Sequence, residues 1–113
     1  MKLVIAYIQP AAFHDVKQAL TEVGVGRMSV ANAQGVGQQG GYTETYRGAE
    51  LEIVLRKKVR LEIAVNDDYV ERTREATIEG ARTGNSGDGV IFVVELAECY
   101  RIRTGESGSP AVG

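Results

Sequence analysis

Between Lys58 and Val65 apolar and polar residues alternate: Val59, Leu61, Ile63 and Val65 on one side, Lys58, Arg60 and Glu62 on the other. Successive strand side chains point to opposite faces, so a period of two specifies a strand with one buried face. Such a strand needs partners at its edges and a cover over its apolar side. The flanking sequence offers both. Residues 2–8 read as a buried strand stopped by Pro10. Phe13, Val16, Leu20 and Val23 recur at helical spacing, in a helix that closes at Gly24 or Gly26. Met28 to Val36 is a weaker strand of small residues. Asp68 with Glu71 resembles a capping box, and Val70, Thr73, Thr77, Ile78 and Ala81 mark one face of a second helix. Val90–Leu96 is another buried strand, and a short extra strand is predicted near 100–104.

The order is strand, helix, strand, strand, helix, strand. That is the α+β, ferredoxin-like βαββαβ arrangement, a four-stranded antiparallel sheet with two helices on one face. The whole chain, 1–113, reads as one domain. The uncovered face still carries apolar side chains, an unfavourable surface for a monomer, and an oligomer that packs sheets together is the simplest solution.

Composition narrows the function. A net charge of −2 argues against a nucleic-acid partner, whose electrostatic footprint is normally basic. No apolar run approaches the roughly 20 residues of a membrane helix, and residues 1–8 are too short for the core of a signal peptide. The single cysteine, Cys99, excludes an internal disulfide, fits a reducing cytoplasm and reads as a packing residue. His14 is the only histidine and reads as a surface residue, which leaves no basis for a His/Cys metal centre.

Two segments exceed what folding alone requires. The first is Arg82-Thr83-Gly84-Asn85-Ser86-Gly87-Asp88-Gly89, followed by Arg101-Ile102-Arg103-Thr104-Gly105. Glycines at 84, 87 and 89 let the backbone bend tightly and turn N–H groups toward one point, a concavity that favours an anion. In an extended reading Arg101 and Arg103 share a side and resemble two phosphate clamps. Gly-Asp-Gly is also an ordinary turn sequence, and both readings stand at this level. The second segment is Gly37 to Leu55, rich in glycine, glutamine and threonine. It joins two neighbouring strands yet exceeds the roughly 12–15 residues beyond which a structureless connection is uncommon and usually functional. Fully extended, it projects on the order of 30 Å out and back. The remaining tail, Gly105 to Pro110, is polar and reads as mobile.

Over essentially its whole length the chain resembles the PII signal-transduction proteins. The matching segments are Ile8-Gln9-Pro10, Gly35-Val36-Gly37-Gln38-Gln39, Thr43-Glu44-Thr45-Tyr46-Arg47-Gly48-Ala49-Glu50, Ala81 to Gly84, Gly87 to Phe92, and Arg101 to Glu106. The resemblance implies a homotrimer with ATP or ADP in the clefts between subunits, and a long loop at 37–55 that grips a target protein. It implies a phosphate-binding turn at 82–90, comprising Thr83, Gly84, Gly87, Asp88, Gly89 and Val90, and a C-terminal segment at 99–113. Arg101 and Arg103 would be supplied by the neighbouring subunit. Ser29 would lie near the adenine. Gly35, Gly37, Gln38, Gln39 and Lys58 would complete the nucleotide site, with Gln39 offering a carbonyl to a magnesium ion and Lys58 pairing with a carboxylate such as 2-oxoglutarate. The target-facing loop residues would be Tyr42, Thr43, Glu44, Tyr46, Arg47, Glu50 and Leu51. Arg47 resembles a channel-inserting residue of some relatives, which points to a membrane transporter docked from the cytoplasm.

The departures from the family pattern cluster in its regulatory parts. Leu51 replaces the tyrosine that many relatives modify, and Ala49 replaces a serine phosphorylated in others, so neither position has an acceptor hydroxyl. Three usually basic positions near the phosphates are Gln9, Gln38 and Val90. Each charge-assisted hydrogen bond is worth roughly 1.5–3 kcal/mol, so these losses are expected to weaken ATP more than ADP. Arg56-Lys57-Lys58 adds charge at the loop base. It reads either as a solvated strand edge or as a replacement anion site for a phosphate or bicarbonate. An enzyme on this fold would need a placed base or nucleophile, and only Asp88 and Ser86 lie in the turn. An RNA-binding sheet would need exposed aromatics, whereas Phe13 and Phe92 sit in apolar patterns.

Overall fold

The computed structural model describes residues 1–36 and 55–113. Four strands, β1 (Lys2–Ile8), β2 (Ser29–Gly35), β3 (Arg56–Val65) and β4 (Gly89–Glu95), form one sheet in the order β2-β3-β1-β4. Every neighbouring pair is antiparallel. Helices α1 (Phe13–Glu22) and α2 (Val70–Ala81) are the two crossovers, and the architecture is ferredoxin-like as the sequence predicts.

The alternation in β3 does what its period requires. Val59, Leu61, Ile63 and Val65 are buried, and in β1 so are Val4, Ala6 and Ile8. They meet Val16 and Leu20 of α1 and Ala76 and Ala81 of α2 in one core. Burying a side chain of the Val, Leu or Ile kind contributes about 1.5–3 kcal/mol, so this shared layer is the main source of cohesion. The helices approach so closely that a Cβ on Gly80 would stand 2.7 Å from the Val16 Cα, which reserves that position for glycine. Thr73 and Thr77 are fully buried in α2, and their hydroxyls donate to the carbonyls of Tyr69 and Thr73 at 2.6 and 2.8 Å. Bonding back to the preceding turn satisfies each hydroxyl without a partner from outside the helix.

Helix α1 ends at Gly24. Its N–H donates to Thr21 O at 3.0 Å and that of Val25 to Leu20 O at 2.9 Å, the paired closing bonds of a helix whose next residue turns left-handed. The entry to α2 differs from the predicted capping box. A 3-10 turn at Asp67–Tyr69 precedes the helix, and the residue at its cap, Tyr69, makes no side-chain cap bond. The extra turn moves the start of the helix past Asp68, so that residue cannot cap it. Of the predicted helix face, Val70 and Ile78 are half-buried, while Ala76 takes a core position.

The chain beyond β4 also differs from expectation. Residues 101–104 form a turn in place of a fifth strand, its two arms joined by one bridge between Tyr100 and Ser107. Arg101 N–H donates to Glu106 O, and Gly105 N–H to Arg101 O, both at 2.8 Å. The polar tail is bonded as well: Gly108 N–H reaches Cys99 O at 2.9 Å, and Ser109–Val112 forms a one-turn helix, α3. Pro110 favours that outcome, because its fixed φ suits a first helical turn.

The sheet face away from the helices carries Ile5, Tyr7 and, across the β1–β4 ladder, Val90 and Phe92. Phe92 is 49% exposed, where its apolar surroundings in sequence suggest burial, and it meets the Tyr7 ring edge-on at 6.4 Å. The Arg60 guanidinium lies 5.8 Å from the centre of that Tyr7 ring and 3.5 Å from Glu62. Among the described residues no helix is long and apolar enough to cross a membrane.

Candidate functional site

Three chain segments meet at one end of this sheet. The register sets Ile8 opposite both Val59 of β3 and Gly89 of β4. One residue further out, β1 releases Gln9, β3 carries Lys58, and the turn 82–89 delivers Asp88 into β4. The turn is pressed against the sheet at Gly89, where φ is +122° and a Cβ would stand 1.8 Å from the Tyr7 carbonyl oxygen. Only glycine fits both the dihedral and the space.

The turn is held from two directions. Inside it, Asp88 Oδ2 accepts from the N–H groups of Thr83 at 2.7 Å and Gly84 at 2.9 Å, while Oδ1 accepts from the Thr83 hydroxyl. The Thr83 hydroxyl oxygen in turn accepts from Asn85 N–H at 3.2 Å. The Thr83 hydroxyl, followed by these two N–H groups, holds the Asp88 carboxyl below the usual carboxylate range. From outside, Gln9 Nε2 and Lys58 Nζ both donate to the Gly87 carbonyl at 2.7 Å.

This arrangement refines the predicted cradle. The N–H groups of Thr83 and Gly84 take the chain's own Asp88 carboxylate as their anion, and that of Asn85 is engaged by the Thr83 hydroxyl oxygen. Those N–H groups are therefore not free for an external anion. The signal for Asp88 was present in the sequence, since a short carboxylate beside glycines bonds to nearby backbone N–H groups. Gln9 entered the sequence reading only as a usually basic position near the phosphates that has lost its charge; nothing in it signals a carbonyl acceptor across the sheet end.

The other expected site residues fall in three groups. Gly35 ends β2 opposite Arg56, and a Cβ there would lie 3.5 Å from Lys58 Cγ, which places it beside the turn's tether. Val90 follows Gly89 opposite Tyr7 and is 47% exposed. Ser29 is exposed at the start of β2, opposite Glu62, at the far end of that strand from Gly35.

Arg101 and Arg103 form the second group. The turn at 101–104 removes the strand alternation that would have aligned them. Arg101 Nη2 donates to the carbonyls of Pro110 and Ala111 at 3.3 and 3.4 Å, and its Nε lies 3.7 Å from the Glu106 carboxylate. Arg103 is exposed. Among the described residues neither bonds to the turn 82–89 of its own chain.

The third group, Gly37, Gln38, Gln39, Tyr42, Thr43, Glu44, Tyr46, Arg47, Glu50 and Leu51, lies outside the described residues. The strands on either side of it are placed, however, and β3 returns within three residues of Lys58. Two concavities lie among the described residues at this end of the sheet. A groove of about 390 Å³ includes Pro10, Asn32, Gln34, Lys57 and Lys58. A more apolar cleft of about 460 Å³ lies between α2 and β4, with Tyr7, Thr77, Ile78, Val90 and Val93 and the polar Asp88 in its wall.

Taken as a class, this is a ferredoxin-like α+β protein with a carboxylate-braced glycine turn and a lysine at one end of the sheet. The sequence profile described as "Nitrogen regulatory protein P-II" matches residues 1–106. The chain is 47% identical over 112 residues to a nitrogen regulatory protein P-II of Bradyrhizobium diazoefficiens, covering 99% of this chain and 100% of the relative. With the same coverage it is 46% identical to a protein of that name from Azospirillum brasilense and to nitrogen regulatory protein P-II 1 of Escherichia coli. The chain belongs to the nitrogen regulatory protein P-II family.

Proposed function

We propose that the protein is a non-catalytic signal-transduction regulator that binds ATP or ADP and acts on a target protein through residues 37–55. Three copies form the working unit, with each nucleotide held between the turn 82–90 of one subunit and Arg101 and Arg103 of the next. The open sheet face, with Phe92 and Val94 at 49% and 45% exposure, supplies an apolar surface for that assembly. One observation carries the reading above all. The Lys58 ammonium contacts Gly87, so the proposed phosphate turn is bonded to the strand through which the long connection re-enters the sheet. A nucleotide can alter that connection only by binding one of its states better than another. The outer phosphate is where ATP and ADP differ, and Gln38, Gln39 and Lys58 lie at the connection's root.

Regulation without catalysis agrees with the state of Asp88. Its oxygens accept three hydrogen bonds and its affinity for a proton is lowered, both unfavourable for a general base. The intended target is a transporter or metabolic enzyme reached from the cytoplasm; the acidic chain is not suited to a nucleic-acid partner. A magnesium ion would take the Gln39 carbonyl together with ATP phosphates, and 2-oxoglutarate would be the accompanying signal.

A second reading has its own support. Gln9, Gln38 and Val90 offer no positive charge, while Arg56, Lys57 and Lys58 concentrate it on β3 beside the groove. On that basis the regulator reads ADP or AMP with bicarbonate, in connection with inorganic-carbon transport. Calorimetric titration with ATP and ADP, each with and without magnesium plus 2-oxoglutarate and again with bicarbonate, decides between them. Binding of 2-oxoglutarate only alongside magnesium-ATP supports the first reading. Preferred binding of ADP or AMP with no response to 2-oxoglutarate supports the second, and no nucleotide binding at all rejects both. Deletion of residues 43–51 is expected to abolish target capture and keep nucleotide affinity within a few-fold.

A further inference from the structure

Two unlike donors share one acceptor at the end of the sheet. The Gly87 carbonyl takes a neutral amide from Gln9 and an ammonium from Lys58, each at 2.7 Å, and both contacts are partly buried. A carbonyl oxygen has two lone pairs, so each donor has its own. We propose that this pair is an exchangeable clasp: an anionic oxygen arriving at the site draws Lys58 off Gly87, while Gln9 stays and keeps that carbonyl satisfied. The proposal rests on the anion-binding reading above and adds the way in which binding is felt by the loop root.

The difference between the donors follows from charge. An anionic oxygen adds a Coulomb attraction that a neutral carbonyl does not offer, so a phosphate or carboxylate outcompetes a carbonyl for an ammonium. The Gln9 amide carries no charge and gains far less from such an exchange. Lys58 also has a flexible four-carbon stem and three donors, which allows it to swing without breaking the strand that carries it.

Position makes the exchange consequential. Lys58 pairs with Ala33 in the β2–β3 ladder, and its Cγ lies beside Gly35, the last residue of β2. The side chain thus touches one root of the 37–55 connection, its backbone belongs to the other, and its ammonium holds the glycine turn. When Lys58 leaves Gly87, β3 loses that bond to the turn, and the side chain beside Gly35 moves with it. Without Gln9 the same movement would leave a partly buried carbonyl with no donor, and the exchange would be opposed. Gln9 is therefore a positioning residue that sets how readily Lys58 is released.

Lysine acylation of the full-length protein, followed by mass spectrometry, tests the clasp without any ligand. Acetic anhydride should modify Lys58 about tenfold more slowly than its exposed neighbour Lys57, because the Lys58 nitrogen must first leave its partly buried bond to Gly87 before it can attack. Equal rates would overturn the clasp, whether or not nucleotide binds. Calorimetry then tests the exchange in the native chain and in Gln9→Leu and Gln9→Lys. The probes are pyrophosphate and ATP for a phosphate source, and 2-oxoglutarate with magnesium-ATP for a carboxylate source.

Gln9→Leu should weaken the effective probe about tenfold, and Gln9→Lys, which restores a donor to Gly87, should recover the loss. The arm that responds identifies the source of the anionic oxygen. Native-like affinity in Gln9→Leu would overturn the exchange and leave the nucleotide-binding reading intact. Failure of every probe on the native chain would overturn both. Should Gln9→Leu not fold, Gln9→Glu serves in its place: its carboxylate attracts Lys58 and cannot donate to Gly87. Weaker probe binding in that variant supports the exchange, and unchanged binding refutes it.

Discussion

The glycine turn at 82–89 and the C-terminal segment at 99–113 both carry residues of the proposed phosphate site, yet they are secured in different ways. The turn is tied to the body of the fold: Gly89 lies against Tyr7, and Gly87 is bonded to residues of β1's exit and of β3. The C-terminal segment is tied mainly to itself, through Arg101 to Glu106, Pro110 and Ala111 and through Gly108 to Cys99. One half of the site is thus built by a single chain's sheet. The C-terminal half takes a bond from the body at Ser109, whose carbonyl accepts from Asn66 Nδ2 at 3.3 Å, and of its arginines Arg103 is exposed while Arg101 is engaged within the segment. Changes in the turn should register first in stability, and changes in the arginines first in binding.

Gly89→Ala should give the largest effect on that contrast. Its Cβ would overlap the Tyr7 carbonyl in a backbone conformation that disfavours side chains, so the expected loss is about 3 kcal/mol or more in a denaturant titration. A native unfolding midpoint would show that the turn is less firmly seated than described. The opposite pattern is expected for Arg101→Ala with Arg103→Ala. Each lost charge-assisted contact is worth roughly 1.5–3 kcal/mol of binding, or about ten- to hundredfold in affinity, with assembly preserved. Unchanged affinity by calorimetry would remove both arginines from the site.

Asp88 sharpens the comparison through pH. Its folded-state proton affinity is depressed, so its stabilising contribution is fully present above the ordinary carboxylate pKa of about 3.9 and disappears as pH falls through the lower folded value. Asp88→Asn should lower Tm at neutral pH and flatten the acid limb of a Tm-versus-pH curve. An unaltered acid limb would mean that other carboxylates control it. Glu106→Gln should have the smallest effect. The Arg101–Glu106 pair is partly exposed at 3.7 Å, and such pairs contribute about 0–1 kcal/mol, so the midpoint of thermal unfolding should hardly move.

What the sequence revealed follows the same division. Strict alternation in β3, helical spacing in α1 and the glycine-rich turn are local patterns, and the sheet order with its two crossover helices agrees with them. The approach to α2 was harder to read because Asp68 and Glu71 match a cap motif, yet an intervening 3-10 turn changes which residue begins the helix. The misread strand near 100–104 has a comparable cause. Tyr100, Ile102 and the arginines between and after them alternate as a strand would, but Gly105 and Pro110 allow the chain to turn and close on itself. At the site, Asp88 was legible as a polar turn residue, whereas its place as the turn's internal anion depends on two N–H groups that only the folded backbone aims at it. The bond made by Gln9 was hidden most completely, since its partner Gly87 lies 78 positions away and contributes only a carbonyl.

The central claim is that the turn of one chain and the arginines of another make one nucleotide site. Native mass spectrometry of mixed subunits tests it directly. One partner carries a binding-defective turn, chosen among substitutions at Thr83 or Gly87 that leave assembly intact; the other, distinguishable by mass, carries Arg101→Ala and Arg103→Ala. Each alone should form trimers that hold no nucleotide. A mixed trimer contains one junction at which an intact turn faces intact arginines, and it should therefore bind a single ADP or ATP. Mixed trimers that remain empty while native trimers bind would contradict a site shared between chains.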